Sequence, residues 1–259
     1  MKVPYFVIHS FTKRRGGGNP AGVCPLERWL DDAVMQSLAT ENALSETAFF
    51  VPRGGQFELR WFTPVSEIDL CGHATLASAW VLFHKLGCSD NAVTFRSKSG
   101  ELVVRRDRER LALDFPARPA EPCPMPDRVP AVLGATPRET RRARDLMCVF
   151  DTEAEVRALR PDFEALRALD LHAVIATAPG SDADFVSRFF APAVGVPEDP
   201  VTGSAHCTLI PYWSNRLGKP SLFARQVSAR GGELWCEDRG ARVSIGGQAT
   251  LYLEGMIEA

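Results

Sequence analysis

No stretch of this chain approaches the roughly 20 uninterrupted apolar residues that a membrane-spanning helix needs, so a bilayer is not an expected partner. A secretory pattern is also missing. Met1 to His9 form a short apolar run interrupted by Pro4, with no cleavage motif after it. Charge of one sign is not in excess: 30 Lys and Arg stand against 32 Asp and Glu, a formal net charge of −2. A phosphate-binding surface needs a basic balance, so nucleic acid is not expected either. Lys13-Arg14-Arg15 lies beside three glycines and reads as a solvated loop tip, while Glu139 and Asp145 offset the looser group Arg138, Arg141, Arg142 and Arg144. The seven cysteines are odd in number and scattered, without a CxxC or a Cys/His set at zinc spacing. No structural metal is expected, and the plain reading is a reduced, cytoplasmic protein.

Familiar catalytic signatures are absent too. There is no GxSxG nucleophile elbow and no GxGxxG dinucleotide fingerprint. Gly16-Gly17-Gly18-Asn19 lacks the Lys-Ser/Thr of a phosphate loop.

What the chain does contain is a repeat of itself. Arg60-Trp61-Phe62-Thr63-Pro64 returns as Arg188-Phe189-Phe190-Ala191-Pro192, and Gly72-His73-Ala74 returns as Gly203-Ser204-Ala205. Leu86-Gly87 returns as Leu217-Gly218, and Gly100-Glu101-Leu102 as Gly232-Glu233-Leu234. The copies stand 128 to 132 residues apart throughout, and several matches in one order indicate a duplicated domain.

Each copy reads as one α/β unit. Phe57 to Trp61 alternates apolar and polar residues, the period of a half-buried strand, and Pro64 ends it. Ala74 to Phe83 is uncharged and apolar on most sides of a helix, which requires enclosure by strands. Gly87 is its expected left-handed stop. Leu102 to Val104 and Leu111 to Phe115 predict a hairpin around the charged turn Arg106 to Arg110. In the second copy the enclosed helix begins at Ala205, and Pro211 predicts a kink or an early end. Pro116 to Pro130 reads as the linker between copies. Thr152 to Leu169 predicts two short surface helices, split at Pro161 with the second starting at that proline.

Chemistry is expected where the loops Cys71-Gly72-His73 and Thr202-Gly203-Ser204 open the two enclosed helices. Such a start points unpaired N–H groups outward, and its dipole favours an anion. Two of them facing across a cleft would suit a small carboxylate, although each alone is more commonly an ordinary tight turn. Four side chains are able to move a proton: Glu46, His73, Asp199 and Cys71. Glu46 lies in an uncharged, strand-like run, where it is either a surface strand residue or a carboxyl with its pKa raised by apolar surroundings. His73 is a capping or core histidine as readily as a functional one. Asp199 could simply cap the turn before its helix. Cys71 fits a small buried hydrophobe.

Gly18-Asn19-Pro20-Ala21-Gly22-Val23, Ser45-Glu46-Thr47, Phe62-Thr63-Pro64, Cys71-Gly72-His73-Ala74-Thr75 and Glu198-Asp199-Pro200-Val201-Thr202-Gly203-Ser204-Ala205 follow one another along nearly the whole chain. In that order they resemble the phenazine-biosynthesis PhzF-like family. The resemblance implies an α+β, duplicated two-domain fold of the diaminopimelate epimerase type, each half a barrel-like mixed sheet around a central apolar helix. The halves would be residues 1–117 and 118–259, with the last strand able to pack back on the first half. It further implies an isomerase, without metal or organic cofactor, that shifts a proton within a small carboxylate-bearing metabolite; the best-understood member acts on a dihydro-hydroxyanthranilate. The general acid/base role falls on Glu46, its partners on His73 and Asp199, and the helix-start serine on Ser204. Asn19, Gly72, Cys71, Thr202 and Gly203 would hold the substrate, and a homodimer is implied. Racemising relatives use two cysteines, but the second loop here offers Pro200-Val201-Thr202 and no thiol, and Cys207, inside the helix, is expected to point elsewhere. The alternatives are a one-thiol epimerase using Cys71, or a non-catalytic metabolite-binding protein on the same fold.

Overall fold

The computed structural model describes residues 1–259 and divides into two compact units, Met1–Phe115 with Gly246–Ala259, and Pro116–Ile245. The first unit runs β1 (Lys2–Ser10), β2 (Asn19–Pro25), α1 (Asp32–Asn42), β3 (Glu46–Arg53) and β4 (Gln56–Phe62). It continues through β5 (Glu67–Ile68), α2 (Gly72–His84), β6 (Ala92–Ser97), β7 (Gly100–Asp107) and β8 (Arg110–Pro116). The second unit opens with β9 (Glu121–Pro122), α3 (Val129–Leu133), β10 (Glu139–Arg142), β11 (Leu146–Val149), α4 (Glu153–Ala158) and α5 (Phe163–Arg167). Then come β12 (Val174–Pro179), β13 (Phe185–Ala191), β14 (Val196–Asp199), α6 (Gly203–Leu217), β15 (Ser221–Gln226), β16 (Gly232–Asp238) and β17 (Arg242–Gly247). The last strand, β18 (Ala249–Glu258), pairs antiparallel with β1 and so belongs to the first unit.

The two units are paired strand for strand. In the first, β1–β2 is antiparallel, β2–β3 parallel, β3–β4 and β4–β5 antiparallel, β4–β6 parallel and β6–β7 antiparallel. In the second, the same sequence of orientations runs β10–β11, β11–β12, β12–β13, β13–β14, β13–β15 and β15–β16. Short β9 stands to β10 as β18 stands to β1, antiparallel along its edge. The duplication seen in sequence motifs is thus carried by hydrogen-bond topology.

Each unit encloses its own helix. Ten of the thirteen residues of α2 are buried, on all sides, as its lack of a polar face requires. It packs on β1, β2, β3, β7 and β18. Gly87, beyond its end, takes φ +70°, the left-handed conformation expected there. Helix α6 buries Ala205, His206, Cys207, Leu209, Ile210 and Trp213 and packs on β15 and β16. No helix is long and apolar enough to cross a membrane.

Three expectations are corrected. Pro211 does not end α6, which runs six residues further, to Leu217. The proline deprives the Cys207 carbonyl of its helical donor, but the Arg118 backbone N–H replaces it at 2.9 Å. Pro116 to Pro130 is not a bare linker, since β9 pairs with β10 and Thr140 donates to the Cys123 carbonyl at 2.8 Å. The second surface helix starts at Phe163 and not at Pro161, because Asp162 takes the cap position and accepts from the Ala165 N–H at 3.0 Å.

With that carbonyl already satisfied, Pro211→Ala is expected to change the unfolding free energy by less than about 1 kcal/mol. An interior proline ordinarily costs about 3 kcal/mol. Urea denaturation measures it, and a gain near the full amount would show that the Arg118 bond does not compensate.

Candidate active site

Two loops open the enclosed helices, and each is pinned by the same device. Arg60 on β4 grips Glu67 on β5 through Nε–Oε1 at 2.8 Å and Nη2–Oε2 at 2.9 Å. Arg188 on β13 grips Glu198 on β14 through the same atoms at 2.8 and 2.9 Å. Both are bidentate pairs, the strongest and most directional form of this contact. Each fixes the short hairpin strand from which the chain turns into α2 or α6.

In the first unit the loop delivers Cys71 to the cap position of α2, in extended conformation, with Gly72 and His73 as the first helical residues. The Cys71 carbonyl accepts from the Thr75 backbone N–H at 3.1 Å and from its hydroxyl at 2.6 Å. Ser10 on β1 donates to the His73 carbonyl at 2.8 Å. Asn19 begins β2 opposite Ser10, and Glu46 begins β3 opposite Ala21. Strand register therefore brings Asn19 and Glu46 to the N-terminus of α2.

Four of the expected residues meet there around one imidazole. His73 Nε2 lies 3.1 Å from Glu46 Oε2, and Nδ1 lies 3.2 Å from the Asn19 amide nitrogen and 3.4 Å from Cys71 Sγ. The side chains of His73 and Glu46 are only 6% and 13% exposed, so little water screens the pair. Burial disfavours the imidazolium, but the interactions with Cys71 and Glu46 outweigh it and hold His73 well above its usual value. Burial and then Glu46 push the Cys71 thiol up, with His73 pulling the other way. Glu46, Cys71 and His73 also offer donor atoms within 4.8 Å of one another, the spacing of a three-donor site for a borderline-soft ion. The ring, however, turns one nitrogen to the thiol and the other to the carboxylate.

The second unit gathers a different set. Asp199 ends β14, Thr202 caps α6, and Gly203 and Ser204 begin the helix. Thr202 Oγ1 donates to Asp199 Oδ2 at 2.5 Å, which ties the carboxylate to the cap position of α6. Ser204 Oγ accepts from Arg144 at 3.3 Å. That arginine pairs bidentately with the buried Asp145, which also meets His172 Nδ1 at 2.8 Å. Cys207 is buried, its thiol pushed up to about 11 by burial and turned toward the Gly203 carbonyl at 3.9 Å.

Motif reading missed three contributors. Glu67 carries no signal of its own, and Arg144 stood only in a loose basic group. Gln226 on β15 is a solitary buried amide that spacing alone does not single out, yet it ties both ends of the Asp199–Thr202 turn.

With this geometry in hand, the likenesses to known proteins are specific. Residues 8–255 match the model of the phenazine biosynthesis-like protein family. An uncharacterized isomerase of Pseudomonas aeruginosa is 51% identical over 99% of both chains. The crystal structure of a phenazine biosynthesis protein PhzF family member from Enterococcus faecalis superposes with a TM-score of 0.98, at 49% identity over 100% of both chains. A hydroxyproline epimerase from Agrobacterium vitis shares the fold alone, with a TM-score of 0.63 at 11% identity, over 99% of this chain and 92% of that one. The architecture is thus the α+β, epimerase-like one.

The raised value of His73 has a definite sign in stability. Below the ordinary imidazole range its contribution is fully present, and it is lost as pH rises through the folded value, where the native protein gives up its proton. The stability gap between wild type and His73→Gln is therefore expected to be larger at about pH 6 than at about pH 9. A gap constant over that range in urea titrations would contradict the assignment.

Proposed function

We propose, from the premise that this chain belongs to the phenazine biosynthesis-like protein family, that it moves a proton within a small carboxylate-bearing metabolite with Glu46 as the acid/base. Isomerase is the class by which its relatives at 51% identity are named, and the chain is an enzyme of that class. The finer reading rests on one observation, the 3.1 Å contact between Glu46 Oε2 and His73 Nε2 at a nearly closed site.

The contact supports a one-carboxylate cycle. In it the Glu46 carboxylate, beside the His73 imidazolium, accepts a proton from a substrate carbon. Once Glu46 is neutral, it holds that proton within reach of a second carbon and returns it there. The charge then lost at Glu46 leaves His73 as the nearest cation to the carbanion-like intermediate, which it stabilises electrostatically. The cycle needs no redox or group-carrying cofactor, because the proton lost and the proton gained belong to the same carboxyl. The substrate's own carboxylate is assigned to helix-start N–H groups, which favour anions. Asp199 and Ser204 are assigned to the same reaction, as positioning and proton-handling groups.

A second reading draws on the 3.4 Å contact between Cys71 Sγ and His73 Nδ1, in which the thiol is the base of an epimerase. Burial of Cys71, which favours the neutral thiol, weakens it.

The two part on a simple test. Deuterium incorporation from heavy water is followed across a panel of small carboxylates, first with wild type and then with variants. Glu46→Gln is expected to lose at least about a hundredfold in exchange rate while keeping its circular dichroism and melting temperature. Cys71→Ser is expected to stay within about threefold of wild type, far less than the loss of an acid/base group. Full exchange in Glu46→Gln, or its loss only in Cys71→Ser, would replace the first reading by the second.

Asp199→Asn and Ser204→Ala are expected to lower exchange by about tenfold each, as groups that assist without carrying the proton. Unchanged rates in both would remove the second loop from the reaction.

A further inference from the structure

The start of α6 carries a threonine in the cap position that does not cap. Thr202 is extended, as a cap residue should be, but its side chain makes no bond to the helix backbone. Threonine is chosen at this position because its oxygen accepts from the second or third N–H of the helix. Here the hydroxyl is engaged elsewhere on both sides. It donates to Asp199 Oδ2 at 2.5 Å and accepts from Gln226 Nε2 at 3.1 Å.

Gln226 is what holds this arrangement. The residue is 1% exposed. Its Oε1 accepts from the Thr202 backbone N–H at 2.8 Å, and its Nε2 donates to the Asp199 carbonyl at 2.7 Å as well as to the Thr202 hydroxyl. One amide therefore closes the four-residue turn Asp199–Thr202 at both ends. Ser228 adds a bond from its hydroxyl to the Pro200 carbonyl at 2.8 Å.

The other unit has nothing like it. Gln226 pairs across its hairpin with Gly232, and the repeat equates Gly232 with Gly100, whose partner is Ser97. Ser97 donates only to the Gly100 carbonyl of its own turn, at 2.9 Å. The frame of the fold therefore does without this amide in the first unit. It is added only in the unit whose loop carries an acidic candidate residue.

We propose that Gln226 is a positioning residue that diverts Thr202 from capping α6 and holds its hydroxyl on Asp199. The N–H groups of Gly203, Ser204 and Ala205 have no acceptor within the helix, so a released Thr202 hydroxyl has one to cap.

The test uses the full chain, labelled with ¹⁵N, and needs no knowledge of the true substrate. In Gln226→Leu, Thr202 is released to cap, and hydrogen exchange at the Ser204 or Ala205 amide is expected to slow by about fivefold to tenfold, the effect of one capping bond. Adding Thr202→Val removes the hydroxyl and is expected to restore fast exchange. A general loss of structure would instead speed exchange in both variants, so the slowing and its reversal separate positioning from packing. If Gln226→Leu does not fold, Gln226→Glu keeps the acceptor for the Thr202 N–H, loses the amide donor, and is expected to slow the same amides. Exchange at wild-type rates in a folded Gln226 variant would overturn the proposal.

Discussion

The enclosure of an apolar helix governs most of what the first unit can do. Burying α2 on every side removes apolar surface at roughly 25 cal/mol per Å², and it leaves the helix ends as the places where its polar backbone must be answered. At the C-terminal end the chain answers for itself: the Leu86 N–H bonds to the Val81 carbonyl and the Cys88 N–H to that of Leu82. At the N-terminal end it does not, for Cys71 supplies no side-chain cap. Strands β2 and β3 then bring Asn19 and Glu46 to that uncapped end, because strands that wrap a helix must begin or end beside it. The cluster around His73 follows from the packing of the core.

This explains which parts were legible in the sequence. The duplication could be read because the same parts recur in both units: Arg60 and Arg188 form the two bidentate pairs, and Gly72 and Gly203 open the two enclosed helices. Elements were legible where periodicity expressed burial, as in β4 and α2. The uninterrupted α6 was not, since what carries it past Pro211 is a backbone bond from Arg118, 93 positions removed from that proline and silent in any local pattern. The same holds for Gln226. An amide that bonds to a turn 24 to 27 residues away leaves no spacing signature, and only the folded register reveals it. Glu46 and His73 were recognised through motif resemblance, while their contact is a product of the β2–β3 register.

The repeated arginine–glutamate pairs show how a duplicated frame can carry different chemistry. Bidentate pairing fixes orientation as well as distance, so each pair sets the direction in which its hairpin hands the chain to the helix. Beyond that point the two loops diverge. One supplies a thiol and an imidazole, the other a carboxylate, a hydroxyl and a serine. The common part answers to folding, and it is preserved in both units down to the atoms that pair. The divergent part answers to something the frame does not require.

The His73–Glu46 pair is the strongest case of that kind. A buried ion pair is a poor way to stabilise a protein, because desolvation of both ions consumes most of their attraction and a well-packed apolar pair of equal volume would do as well or better. The first unit has no shortage of apolar alternatives: Ala48, Phe49 and Phe50 follow Glu46 along the same strand and are all buried. The ring is set among specific polar groups: Nε2 lies 3.1 Å from Glu46 Oε2, and Nδ1 lies 3.2 Å from the Asn19 amide nitrogen and 3.4 Å from Cys71 Sγ. Stability alone does not account for a carboxylate and an imidazole among those groups, at a place where apolar side chains would pack as well.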